Sequence, residues 1–152
     1  MRLKILNTRE KKQIENYLKK RFGIHKIPGI LLKRGEERIF LFSGEINLKK
    51  IIELDEKILL ERVGIYFAKL INNEPKLSLE GVQILKNQIK DNIFEINKNQ
   101  AEKWMAGQEL NIKTKKRGFI IIKYQEDLLG CGKASEEKIT NFIPKSRRLK
   151  LK

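Results

Sequence analysis

Apolar positions between Asn7 and Gly23 recur at helical spacing. Ile14, Tyr17, Leu18 and Phe22 share one face, while Lys11, Lys12, Lys19, Lys20 and Arg21 occupy the others. Asn7 and Glu10 form a capping box, with Asn in the place of the usual Ser or Thr, and Gly23 supplies the stop. The period then changes. Residues 29–33 and 38–42 are short apolar runs joined by Arg34-Gly35-Glu36-Glu37, which predicts a hairpin. Asn47 caps a short helix carrying Leu48, Ile51, Ile52 and Leu54, and residues 58–60 read as extended. Residues 63–71 predict a strand bent at Gly64, Asn72-Asn73-Glu74-Pro75 a turn, and residues 76–79 the returning strand. A helix opening at Ser78 or Leu79 places Val82, Leu85 and Ile89 on one face. Helix, hairpin, helix, hairpin, helix is the order of an α+β module with antiparallel pairing.

A second unit begins near Asp91-Asn92. Residues 93–96 read as a strand, and residues 100–106 as a helix capped by Asn97 or Asn99 and ended by Gly107. Ala101, Trp104 and Met105 make its apolar stripe, so Trp104 reads as a core anchor, with a base-stacking platform as the alternative. Leu110 and Ile112 alternate with polar residues. Lys113-Thr114-Lys115-Lys116-Arg117-Gly118 is a basic turn, residues 119–124 are a buried-type strand, and Gln125-Glu126-Asp127 turns the chain back. Residues 128–150 carry apolar residues at strand-like spacing, with Gly130 and Gly132 on either side of Cys131. Asn141-Phe142-Ile143-Pro144 begins a last extended segment. Glycines inside a strand mark a bend, or a place where another backbone comes close. Short strands with one helix suit a small barrel closed on itself. The expected division is 1–91 and 92–152.

Composition narrows the partner. The chain has 152 residues, a net charge of +15 and a pI of about 9.9. Such a surplus favours a polyanion, most often nucleic acid, through counterion release. No apolar run approaches the roughly 18 residues of a membrane span, and residues 2–9 lead straight into a charged helix rather than a signal peptide. The single cysteine, Cys131, suits a reducing compartment, so the expected location is cytoplasmic. His25 is the only histidine, which removes a His-based metal site or a Ser/His/Asp triad. Gly130-Cys131-Gly132-Lys133 lacks the spacing of a phosphate-binding nucleotide loop, and no dinucleotide fingerprint occurs. No catalytic residues, metal or cofactor are expected, and an enzyme is not supported.

Residues 93–150 resemble a PUA domain, the RNA-binding module named for pseudouridine synthases and archaeosine transglycosylases. The resemblance rests on Ile93-Phe94-Glu95-Ile96, on Trp104-Met105-Ala106-Gly107-Gln108-Glu109-Leu110, on residues 118–124, and on Leu129-Gly130-Cys131-Gly132-Lys133. Its most specific part, Asn141-Phe142-Ile143-Pro144-Lys145-Ser146-Arg147-Arg148, is similar to the C-terminal extensions of the Nol/Nop/Sun family of RNA cytosine-5 methyltransferases. Residues 62–69 with Leu77-Ser78-Leu79-Glu80-Gly81 look like the small module preceding the PUA domain in that family. A similar layout occurs in a ribosome-biogenesis factor of archaea and eukaryotes.

The resemblance implies an α+β chain: an N-terminal mixed pre-PUA module followed by a PUA-type β pseudo-barrel that holds structured RNA between its helix and its glycine-containing strand. Carried over residue by residue, that surface includes Gly107, Gly130, Gly132 and Lys133. Charge adds Lys113, Lys115, Lys116 and Arg117 from the turn, and Lys145, Arg147 and Arg148 from the tail. The sequence departs from the methyltransferases in having no cofactor-binding glycine motif and no Pro-Cys or Thr-Cys loop, and it leaves no room for a methylase domain. The expected function is a stand-alone RNA-binding protein acting on tRNA or rRNA, accessory to RNA modification or ribosome biogenesis. The alternative is an adaptor subunit that docks on a separate modifying enzyme or pre-ribosome through the helix bearing Val82 and Ile89. A membrane-surface role ranks last, because no basic amphipathic helix carries aromatic anchors.

Overall fold

A computed structural model describes residues 3–42 and 64–150. The helix expected after Asn47, the extended residues 58–60 and the start of the strand at Val63 lie outside the described residues.

The first helix, α1 (Thr8–Phe22), forms as its local signals direct. The Asn7 side chain accepts from the Glu10 backbone N–H at 2.8 Å, the Glu10 carboxylate accepts from the Asn7 N–H at 3.2 Å, and Gly23 ends the helix in the left-handed region. The hairpin β2 (Ile30–Arg34) and β3 (Arg38–Phe42) follows as expected. One strand was not anticipated. β1 (Leu3–Ile5) pairs antiparallel with β2, so residues 3–5 are sheet rather than a lead-in to the helix. At three residues it is too short to display an alternating pattern.

β4 (Ile65–Ile71) and β5 (Glu74–Leu77) are joined by Asn72 and Asn73, both at positive φ (52° and 66°), as a tight hairpin with matched strand twist requires. Pro75 is tolerated because β5 is an edge strand in the order β1-β2-β3-β4-β5. The second helix, α2 (Leu79–Leu85), starts at Ser78, whose hydroxyl accepts from the Gly81 N–H and donates to the Tyr66 carbonyl. It stops a turn before Ile89, which is nevertheless buried.

The remaining elements are β6 (Ile93–Glu95), α3 (Lys98–Met105), β7 (Gly118–Tyr124), β8 (Asp127–Ala134), β9 (Ile139–Asn141) and a 3-10 turn at Lys145–Arg147. The sheet order is β6-β7-β8-β9, and β6 runs parallel to β7. Parallel pairing needs a crossover, supplied by α3 and the basic turn. Asn97, not Asn99, caps α3, in a second capping box with Gln100. The alternation at Leu110 and Ile112 yields one isolated bridge, Leu110 to Ile139. The tail expected to be extended turns at Lys145–Arg147 instead. The described residues thus form an α+β fold of three helices and two mostly antiparallel sheets.

The core explains the uninterrupted apolar run in β7. Phe119 and Ile121 pack with α1, α2 and the first sheet, whereas Ile120 and Ile122 pack with Trp104, Ile139 and Ile143. Both faces of the strand are covered, so neither is polar. Hydrogen bonds at residues 90–92 reinforce the junction. Phe22 O accepts from the N–H groups of Lys90 and Asp91, Asn92 Nδ2 donates to Arg21 O at 2.6 Å, and Asn92 O accepts from the Ile121 N–H.

Candidate nucleic-acid interface

The residues expected to meet RNA fall into two groups. The first stands at one end of the β7–β8 hairpin. Gly118 pairs with Ala134 and Phe119 with Lys133, so the basic turn and Lys133 lie at the same end. Lys113, Lys115, Arg117 and Lys133 are exposed. The turn is shaped by Thr114, whose hydroxyl accepts from the Lys116 N–H at 2.9 Å, and by Lys115 at φ 66°. Arg21 fixes it from α1: its guanidinium donates to the Phe119 carbonyl at 2.6 Å and also to the Arg117 carbonyl. These bonds hold the turn's backbone and leave its cationic side chains outward.

The second group gathers at the end of α3. Gly107 has φ 91° and terminates the helix, with Gln108 N–H returning to Lys103 O at 3.0 Å. The Arg148 side chain lies where a Cβ on Gly107 would stand, and its Nε donates to Ile143 O at 2.9 Å. A cation here also complements the negative end of the helix dipole. Arg147 pairs with Glu80 of α2, and Leu149 N–H bonds Met105 O. Lys145 is exposed. Asn141 ties the group together: its Nδ2 donates to the carbonyls of Trp104 and Gln108, while its Oδ1 accepts from the Ile143 N–H. The tail arginines are therefore already engaged within the protein, whereas Lys145 and Lys150 are exposed.

Gly130 and Gly132 are buried, which changes the reason for them. A Cβ on Gly132 would stand 2.7 Å from Trp104 Cη2 and 2.8 Å from Ile139 Cγ2, and one on Gly130 would stand 2.8 Å from Leu79 Cδ2. The close approach expected of a ligand backbone is made on that side by the chain's own side chains. Trp104 is a core anchor, fully buried, with its indole N–H donating to Leu129 O at 3.1 Å. His25 lies in an exposed loop, and no cluster of potential metal ligands occurs among the described residues.

Cys131 is buried, and burial pushes its thiol up to about 12. It is expected to resist a thiol-reactive disulfide reagent at pH 8 in the folded protein and to react fully in denaturant. Titration of released thiolate with and without urea checks this, since only the thiolate is nucleophilic.

Sequence reasoning missed the seam between the two sheets. Lys76 of β5 places its ammonium 4.1 Å from the Phe142 ring centroid. Phe142 meets Phe119 edge to face at 6.4 Å, and the Lys133 ammonium lies 5.8 Å from the Phe119 centroid. Burial, then the Lys69 charge, holds the Lys76 ammonium below its ordinary range. Nothing local in the sequence signals these contacts, because they join residues far apart in the chain.

Residues 91–149 match the family described as the methyltransferase RsmF PUA domain. A ribosomal RNA small subunit methyltransferase F of Shewanella oneidensis is 29% identical over 139 residues, covering 90% of this chain and 28% of that protein. The protein of the same name from Shewanella halifaxensis is 26% identical over 99 residues, covering 64% of this chain and 20% of that protein. A third, from Shewanella pealeana, is 28% identical over 97 residues, covering 62% and 19%. The chain thus spans less than a third of the length of these relatives. No helix among the described residues is long and apolar enough to cross a membrane. Residues 91–149 thus carry a PUA domain, similar to the C-terminal region of the Nol/Nop/Sun family of RNA cytosine-5 methyltransferases.

Proposed function

We propose that this chain binds structured RNA in the service of ribosomal RNA modification, with small-subunit rRNA as the preferred class and tRNA as the comparison. The observation that carries the reading is the match of residues 91–149 to a PUA domain of an rRNA methyltransferase, on a chain of net charge +15. That match is to the PUA domain and not to a catalytic domain, so the chain's contribution is recognition, with methyl transfer left to other residues or another protein. Residues 1–91 serve as the pre-PUA module that carries this domain. Lys113, Lys115, Lys116, Arg117, Lys133 and Lys145 supply phosphate contacts, and specificity comes from RNA shape and 2′-hydroxyls. The adaptor reading draws less support, because Val82 and Leu85 of its docking helix, and Ile89 just beyond it, are buried in the protein's own core.

Fluorescence anisotropy with small-subunit rRNA fragments, tRNA and a scrambled duplex competitor, at two salt concentrations, tests the reading. Binding to an rRNA fragment that survives the competitor is the expected result. Affinity that follows salt alone and ignores RNA identity would reduce the basic surface to a generic polyanion site.

A further inference from the structure

The seam holds a cation without a counter-charge. Lys76 stands directly across from Lys69 in the β4–β5 ladder. Like charges directly opposite destabilise a sheet. Lys69 is answered by Glu37 at 3.6 Å, but no carboxylate among the described residues pairs with Lys76. Its ammonium is half-buried and rests on the Phe142 ring. A partly desolvated cation without an anion is costly unless an anion arrives.

The space beside it is shaped for a small one. A cleft of about 70 Å³ opens between β5–α2 and the β9 tail, lined by Lys76, Tyr66, Ser78, Cys131, Phe142 and Pro144 among others. At about 10–15 Å³ of probe volume per water it has room for a few waters, a size that suits a phosphodiester group. Glu80 also borders the cleft, but its carboxylate is engaged by Arg147. Lys133 lies beyond the Phe142–Phe119 pair, on the same face of β8 as Cys131.

We propose that Lys76 is a phosphate-binding residue: an RNA strand held at Lys133 crosses the seam and seats one phosphodiester in this cleft on the Lys76 ammonium. The proposal rests on the RNA-binding reading and extends the contact surface from the PUA domain onto the first sheet. In the unbound protein the ring of Phe142 takes the place of the anion.

The test is RNA binding by Lys76→Met, which removes the charge and keeps the apolar stem, titrated against salt with the small-subunit rRNA fragments used above. Loss of one phosphate contact makes the slope of log affinity against log salt shallower by about 0.7 to 0.9 and raises Kd by roughly three- to tenfold at low salt. Lys76→Arg keeps the wild-type slope. Lys69→Met, which removes the neighbouring cation already paired with Glu37, leaves both quantities unchanged. A Lys76→Met protein that titrates like wild type, or a Lys69→Met protein that loses as much, overturns the proposal. Thermal unfolding of each variant separates lost contact from lost fold. A wild-type protein that binds no RNA would instead remove the RNA-binding reading, and this proposal with it.

Discussion

Trp104→Ala is expected to destabilise the protein by about 3 to 5 kcal/mol, the range for deleting a large buried aromatic. The indole is fully buried and sits at the centre of the second core with Ile96, Ala101, Ile120, Ile139 and Ile143. Its removal opens a cavity that the strands cannot close, because Gly132 has no side chain to move into it. It also takes the indole donor from the Leu129 carbonyl. Urea denaturation followed by circular dichroism measures the loss, since the variant has no tryptophan left to report by fluorescence. The complementary change, Gly132→Ala, presses a methyl against Trp104 and Ile139 and costs about 1 to 3 kcal/mol by overpacking. The two changes share one space, so together they cost less than the sum of their separate effects.

Phe22→Ala is expected to cost a similar 3 to 5 kcal/mol, and its larger lesson concerns cooperativity. Phe22 lies at the end of α1 in a core that contains residues of both sheets, including Phe119, Ile121 and Cys131. Its carbonyl also receives the Lys90 and Asp91 N–H groups. Weakening this point therefore loosens both sheets. The variant should unfold in one transition at lower denaturant, and amide protons of β7 should lose protection along with those of α1 in hydrogen exchange. Two separate transitions, with β7 unaffected, would mean that the C-terminal unit stands without α1.

What could be read from the sequence was what is decided locally. Asn7, Glu10 and Gly23 mark the ends of α1 locally; the turn expected over Asn72-Asn73-Glu74-Pro75 is confined to Asn72 and Asn73, because Glu74 and Pro75 already pair in β5. The PUA resemblance rested on residues 93–150, and the family match falls at 91–149. Gly130 and Gly132 announced a close approach, but the partner was Leu79 in one case and Trp104 in the other, and strand spacing holds no information about that. Arg21 looked like one more exposed cation on a helix, yet it holds the carbonyls of Arg117 and Phe119. Arg147 and Arg148 looked free for a ligand, and both are held by the protein itself. Clustered charge in a sequence marks where cations are, and tertiary contacts decide which of them remain available.

The bond from Arg21 to the Phe119 carbonyl spans 98 residues of chain, and this has a consequence for how the molecule acquires its structure. Closing a long loop costs entropy before any contact compensates for it. Chains dominated by such distant pairings fold slowly, toward the millisecond-to-second range, while helical bundles finish in microseconds to milliseconds. Here α1 can form early from its own caps, but the turn it clamps must wait for β7 to be delivered. The clamp that Arg21 places on the basic turn therefore exists only once α1 and β7 have met.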